Sequence, residues 1–124
     1  MTAIREVMTK ELVTVEPATS VAAAVTVMGM QGVGAVLVME KGRLEGIFTE
    51  RDLVRALSND IGASSQAVAQ WMTRTPVTVG PDASVEEALE IMLAGHFRHL
   101  PVMEGERLVG VVSIRDLSRA TLRD

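Results

Sequence analysis

The sequence predicts an α/β (α+β) chain made of two β-α-β-β-α repeats packed about a pseudo-twofold axis. Three observations predict it. First, sliding the 124 residues against themselves by 64 positions aligns 8–56 with 72–120 without a gap, and 21 of the 49 positions are identical. A duplicated unit of about 50 residues is marginal alone, so the two copies are expected to share a core. Second, each copy holds one stretch with apolar residues at i, i+3, i+4 and i+7 and two apolar runs joined by a turn. Third, Gly46-Ile47-Phe48-Thr49-Glu50-Arg51-Asp52 returns as Gly110-Val111-Val112-Ser113-Ile114-Arg115-Asp116. Glycine, apolar residues, a hydroxyl and then an aspartate three positions on describe a strand running straight into a capped helix.

Each copy opens with a short helical turn (4–8 and 68–72) and a short extended piece (12–15 and 77–79). Pro17 and Pro81 follow in turns, and Ser20 and Ser84 stand at the N-caps of helices. Val21, Ala24, Val25 and Met28 form the buried stripe of one helix; Val85, Ala88, Leu89 and Met92 form that of the other. Ser84 with Glu87 reads as a capping box, which the first copy lacks because Ala23 takes the glutamate's place. Two strands come next in each copy (33–39 and 44–48; 99–103 and 108–112), joined by the turns 40–43 and 104–107. A last helix closes each unit (50–57 and 114–122). Residues 58–66, rich in Ser, Asn, Gly and Ala, read as the linker, so the expected domains are 1–60 and 61–124.

The composition narrows the function classes. Hydrophobic residues make up 48% of the chain, which rules out disorder, and Trp71, Phe48 and Phe97 are its only aromatics. A net charge of −4 and so few stacking platforms argue against a nucleic-acid partner. Without cysteine there is no disulfide frame or thiolate metal site, and His96 with His99 is thin support for a metal. No apolar run approaches the roughly 18 residues of a membrane span and the start has no signal-peptide core, so a cytoplasmic protein is expected. There is no nucleophile with a base, no catalytic carboxylate pair and no phosphate-cradling glycine loop, so an enzyme is not expected.

The two Gly-to-Asp endings, the openings Val-Met-Thr (7–9) and Trp-Met-Thr (71–73), and the segment Phe97-Arg98-His99-Leu100-Pro101-Val102 resemble the CBS domain, named for cystathionine β-synthase. The resemblance covers nearly the whole chain and recurs twice in one order. It implies tandem CBS domains, a CBS pair or Bateman module, read here as stand-alone. In that family the repeats pack sheet to sheet, and modules commonly dimerise into a flat disk. Many bind adenosine-containing ligands in clefts between repeats: AMP, ADP, ATP, sometimes NADH or S-adenosylmethionine. The resemblance therefore implies a regulatory adenosyl ligand such as AMP or ATP, a homodimer and a separate effector protein.

The residues suit that ligand class. A helix start presents N–H groups and a positive dipole end to phosphate, and Thr49 or Ser113 adds a hydroxyl there. Asp52 or Asp116 offers two oxygens to the paired hydroxyls of a ribose, the use the family makes of its aspartate. The resemblance places the adenine slot at Val13-Thr14 with 33–36 in one copy and at Val77-Thr78 with 97–100 in the other, so that Thr14, Val33, Ala35, Thr78, Phe97 and His99, with the adjoining Pro101, are ligand-binding candidates. Arg98 is the best phosphate candidate, because a guanidinium grips phosphate bidentately; Arg51 and Arg115 stand one residue before the aspartates. The first copy has Gly32, Gly34 and Ala35 where the second has His96, Arg98 and His99, so unequal sites are expected. The same hydroxyl–aspartate pairs also read as plain helix caps, and a ligand-free structural or dimerisation module is the alternative function.

Overall fold

Serine turns the chain into a helix twice. The Ser20 hydroxyl accepts the Ala23 N–H at 3.0 Å and starts α1 (Val21–Gln31); the Ser84 hydroxyl accepts the Glu87 N–H at 3.0 Å and starts α3 (Val85–Gly95). Val21, Ala24 and Met28 are buried on α1, and Val85, Ala88 and Met92 on α3, as the helical spacing predicts. Val25 and Leu89 are only partly buried. The capping box expected at Ser84 is half-formed: among the described residues, Glu87, exposed to solvent, returns no bond. The computed structural model describes residues 2–123.

One unit spans Val13–Pro76. It contains β1 (Thr14–Val15), α1, β2 (Ala35–Glu40), β3 (Arg43–Thr49), α2 (Glu50–Asn59) and β4 (Thr73–Arg74). Its sheet runs in the order β1-β2-β3-β4, with β1 parallel to β2 and the other pairs antiparallel. Lys41 and Gly42, both at positive φ (52° and 77°), make the tight β2–β3 hairpin that pairs Glu40 with Arg43. The core joins Val15, Val21, Ala24, Met28, Val36, Val38 and Phe48 to Val68 and Met72.

The other unit joins the segment ending at Leu12 to the chain from Val77 onward. It holds α3, β5 (His99–Glu104), β6 (Arg107–Ser113) and α4 (Ile114–Arg123). Val79 runs parallel to Val102, and Thr9 pairs with Val111, repeating the rows of the first sheet. The 3₁₀ turn Ile4–Glu6 docks through the Ile4 and Arg5 N–H groups on the Ala83 and Pro81 carbonyls (2.8 and 2.9 Å). Ile4 is fully buried among Val85, Ala88, Met92, Leu100 and Val112. Arg5 bonds Asp82 (2.7 Å), which raises its pKa further and keeps it charged.

Spatial units and sequence repeats are therefore drawn differently. The lead-in of each repeat serves the unit built by the other, whereas the sequence suggested divisions at 1–60 and 61–124. The expected linker, 58–66, is part of the first unit. Ser58 and Asn59 finish α2, Ile61–Ser65 form a 3₁₀ turn with Ala63 buried, and Asp60 caps that turn and binds Gln66 (2.7 Å). Small polar residues there mark turns and caps rather than a loose connection.

Candidate functional site

Both Gly-to-Asp motifs form strand-to-helix corners. Gly46 and Gly110 keep them tight. A Cβ on Gly46 would lie 2.7 Å from the Thr73 carbonyl and 2.8 Å from the Met72 sulfur; one on Gly110 would lie 2.7 Å from the Met8 sulfur. Only glycine lets the Met-Thr lead-in pair this closely with the strand. This explains why the glycine and the Met-Thr pair recur together.

At the first corner Thr49 ends β3 and caps α2, its hydroxyl accepting the Asp52 N–H at 3.2 Å. Asp52 returns the capping box: its Oδ2 accepts the Thr49 N–H at 3.0 Å and lies 3.2 Å from the Thr49 hydroxyl. The Thr73 hydroxyl donates to Oδ1 at 3.2 Å, and Arg55 reaches the same oxygen at 3.4 Å. The Asp52 side chain is 8% exposed. Arg55 is itself held, donating to the Trp71 carbonyl with its guanidinium 5.7 Å from the indole centroid. The Trp71 indole N–H donates to Gln66 at 2.8 Å. Ala35 pairs with Thr49, Thr14 is exposed opposite Leu37, Val33 is half-buried, and Arg51 is exposed.

At the second corner Ser113 ends β6, and its Oγ accepts the Asp116 N–H at 3.2 Å. Asp116 Oδ2 accepts the Ser113 N–H at 2.9 Å, and Oδ1 stands 3.9 Å from Arg119. Its side chain is 16% exposed, twice the figure for Asp52. Among the described residues it has no hydroxyl in the role of Thr73. His99 pairs with Ser113, and Arg98 and Arg115 are exposed. Thr78 is exposed, Phe97 is half-buried, and buried Pro101 spends its carbonyl on the Val79 N–H (3.1 Å).

The helix starts offer fewer N–H groups to a phosphate than the sequence suggests. The first N–H of α2 is spent on the Gly34 carbonyl (3.1 Å) and that of α4 on the Arg98 carbonyl (2.8 Å). The third is spent on the cap hydroxyl in both corners. The Arg51 and Arg115 N–H groups lie between these. Thr73, Arg55 and Trp71 are not among the candidate site residues that the sequence singles out. The signal was the repeat offset: Thr73 and Arg55 recur as Thr9 and Arg119, while Trp71 stands opposite Val7.

Two β-α-β-β-α copies that exchange their lead-ins and end in capped Gly-to-Asp corners define a tandem-repeat α/β module. The CBS domain family matches residues 4–59 and 68–123, and the chain belongs to that family. A 17.7 kDa protein from the bps2 3′ region of Acidianus ambivalens is 40% identical over 124 residues, covering 98% of this chain and 74% of the relative. The crystal structure of the CBS-domain containing protein ATU1752 from Agrobacterium tumefaciens superposes with a TM-score of 0.92 at 37% identity, covering 97% of this chain and 99% of that one. CBSX2, crystallised in complex with AMP, superposes with a TM-score of 0.84 at 27% identity, covering 98% of this chain and 96% of its own. No helix among the described residues is long and apolar enough to cross a membrane.

Proposed function

We propose that the chain is a regulatory ligand-sensing module that binds an adenine nucleotide or other adenosyl ligand and signals to a separate partner protein. AMP, ADP and ATP lead; NADH and S-adenosylmethionine follow. The observation that carries this reading is the Asp116 corner: a half-buried carboxylate, anchored by one backbone N–H, at the start of a helix beside exposed Arg98 and Arg115. A ribose diol donates to such a carboxylate, and the arginines suit the phosphate tail. The AMP complex of CBSX2 supports the ligand class. In this reading the module is not catalytic and works in the cytoplasm as a homodimer. Val54 and Leu57 on α2 are apolar and exposed, a patch that a second copy would cover.

The alternative, a ligand-free structural or dimerisation module, is favoured at one place. The Asp52 carboxylate has all its acceptor capacity taken by its own neighbours, as a pure helix cap would. A thermal-shift series with AMP, ADP, ATP, NADH and S-adenosylmethionine separates the two. A ligand at a hundredfold excess over its dissociation constant stabilises by about 2.7 kcal/mol. A shift with at least one of the five is expected; none with any of them overturns sensing in favour of the structural module.

A further inference from the structure

We propose that Thr73, set by its pairing with Ile47, and Arg55, held by Trp71, shut the first corner, so that each chain takes one adenosyl ligand, at the Asp116 corner. This rests on the ligand-sensing reading above. A carboxylate has about four acceptor positions. Asp52 fills them with the Thr49 N–H (3.0 Å), the Thr49 hydroxyl (3.2 Å), the Thr73 hydroxyl (3.2 Å) and Arg55 (3.4 Å). A ribose diol must displace Thr73 or Arg55 before it can donate there. Displacing Arg55 also breaks its bond to the Trp71 carbonyl and its stacking on the indole. At Asp116 only the Ser113 N–H lies within hydrogen-bond distance among the described residues, and Arg119 stands off at 3.9 Å.

The sequence difference behind this is small. Asp, Arg and Thr are identical in the two copies (Asp52 and Asp116, Arg55 and Arg119, Thr73 and Thr9). Trp71 faces Val7 in the alignment, and valine gives Arg119 no ring to lie on. One aromatic residue thus gives Arg55 a ring to lie on, and together with the Thr73 hydroxyl it turns a shared motif into a closed one.

The test is calorimetric titration of the full chain with AMP. The wild type is expected to take one equivalent per chain. Asp116→Asn should weaken binding at least tenfold, and Asp52→Asn should leave affinity within about twofold. The double variant Thr73→Val, Arg55→Leu strips two donors from Asp52 and should raise the stoichiometry toward two. Two equivalents in the wild type, or loss of binding in Asp52→Asn rather than Asp116→Asn, overturns the inference while leaving sensing intact. A folded double variant that still takes one equivalent removes Thr73 and Arg55 from the role. If it does not fold, the wild-type stoichiometry and the two single variants decide. A wild type that binds none of AMP, ADP, ATP, NADH or S-adenosylmethionine overturns the sensing reading, and this inference with it.

Discussion

Asp116 holds one backbone N–H at 2.9 Å and keeps its other oxygen 3.9 Å from Arg119, so a ribose has an acceptor to reach at modest cost. A hydrogen bond to a charged group is worth about 1.5–3 kcal/mol. Asp116→Ala is therefore expected to weaken AMP binding by about ten- to a hundredfold, read by titration calorimetry, with a small loss of stability from the cap. Arg98→Ala is expected to lower affinity for ATP and ADP while leaving adenosine unchanged; equal losses for all three remove Arg98 from the phosphate role. The cap pairs were legible because a hydroxyl and an acid three residues apart are local chemistry. The donors around Asp52 were not. Thr73 lies 21 residues away, and only the register that sets Ile47 against Thr73 brings its hydroxyl to the carboxylate.

At the scale of elements, the helix stripes and hairpins could be read directly, since period and turn residues carry them. What the sequence hid was which strand each lead-in would join. Composition marks 58–66 as polar and small, but not that Asp60 and Gln66 would lock it against α2's end. The glycines show how tightly the lead-ins dock. Gly110→Ala places a methyl 2.7 Å from the Met8 sulfur and 3.0 Å from the Thr9 carbonyl. It is expected to cost about 1–3 kcal/mol in chemical denaturation, because the Thr9–Val111 pairing must part or the methionine must move. An Ala at Gly42, where nothing lies within 4 Å, meets no such clash and pays only for its positive φ.

At the scale of the whole chain, the family and its duplication were legible, because 21 matches at one offset are hard to miss. The boundary of each spatial unit was not, because self-alignment compares segments without saying what they touch. The fragment 13–76 carries its own Val68 and Met72, whereas the fragment 1–60 lacks both core residues and brings an Ile4 whose partners are absent. Circular dichroism melts are expected to show a cooperative transition for 13–76 and none for 1–60. The reverse order would mean that the lead-ins matter less than their burial suggests.

That borrowing also bears on ancestry. A founder gene encoding a single copy would have produced a polypeptide whose opening turn had no home in its own body. Two such molecules would have had to trade those turns to complete each other, so a single-copy founder would have needed a partner before any fusion. Joining the copies end to end would make the trade permanent and free each half to drift, and the two corners now differ at Trp71 against Val7 and at Gly34 against Arg98.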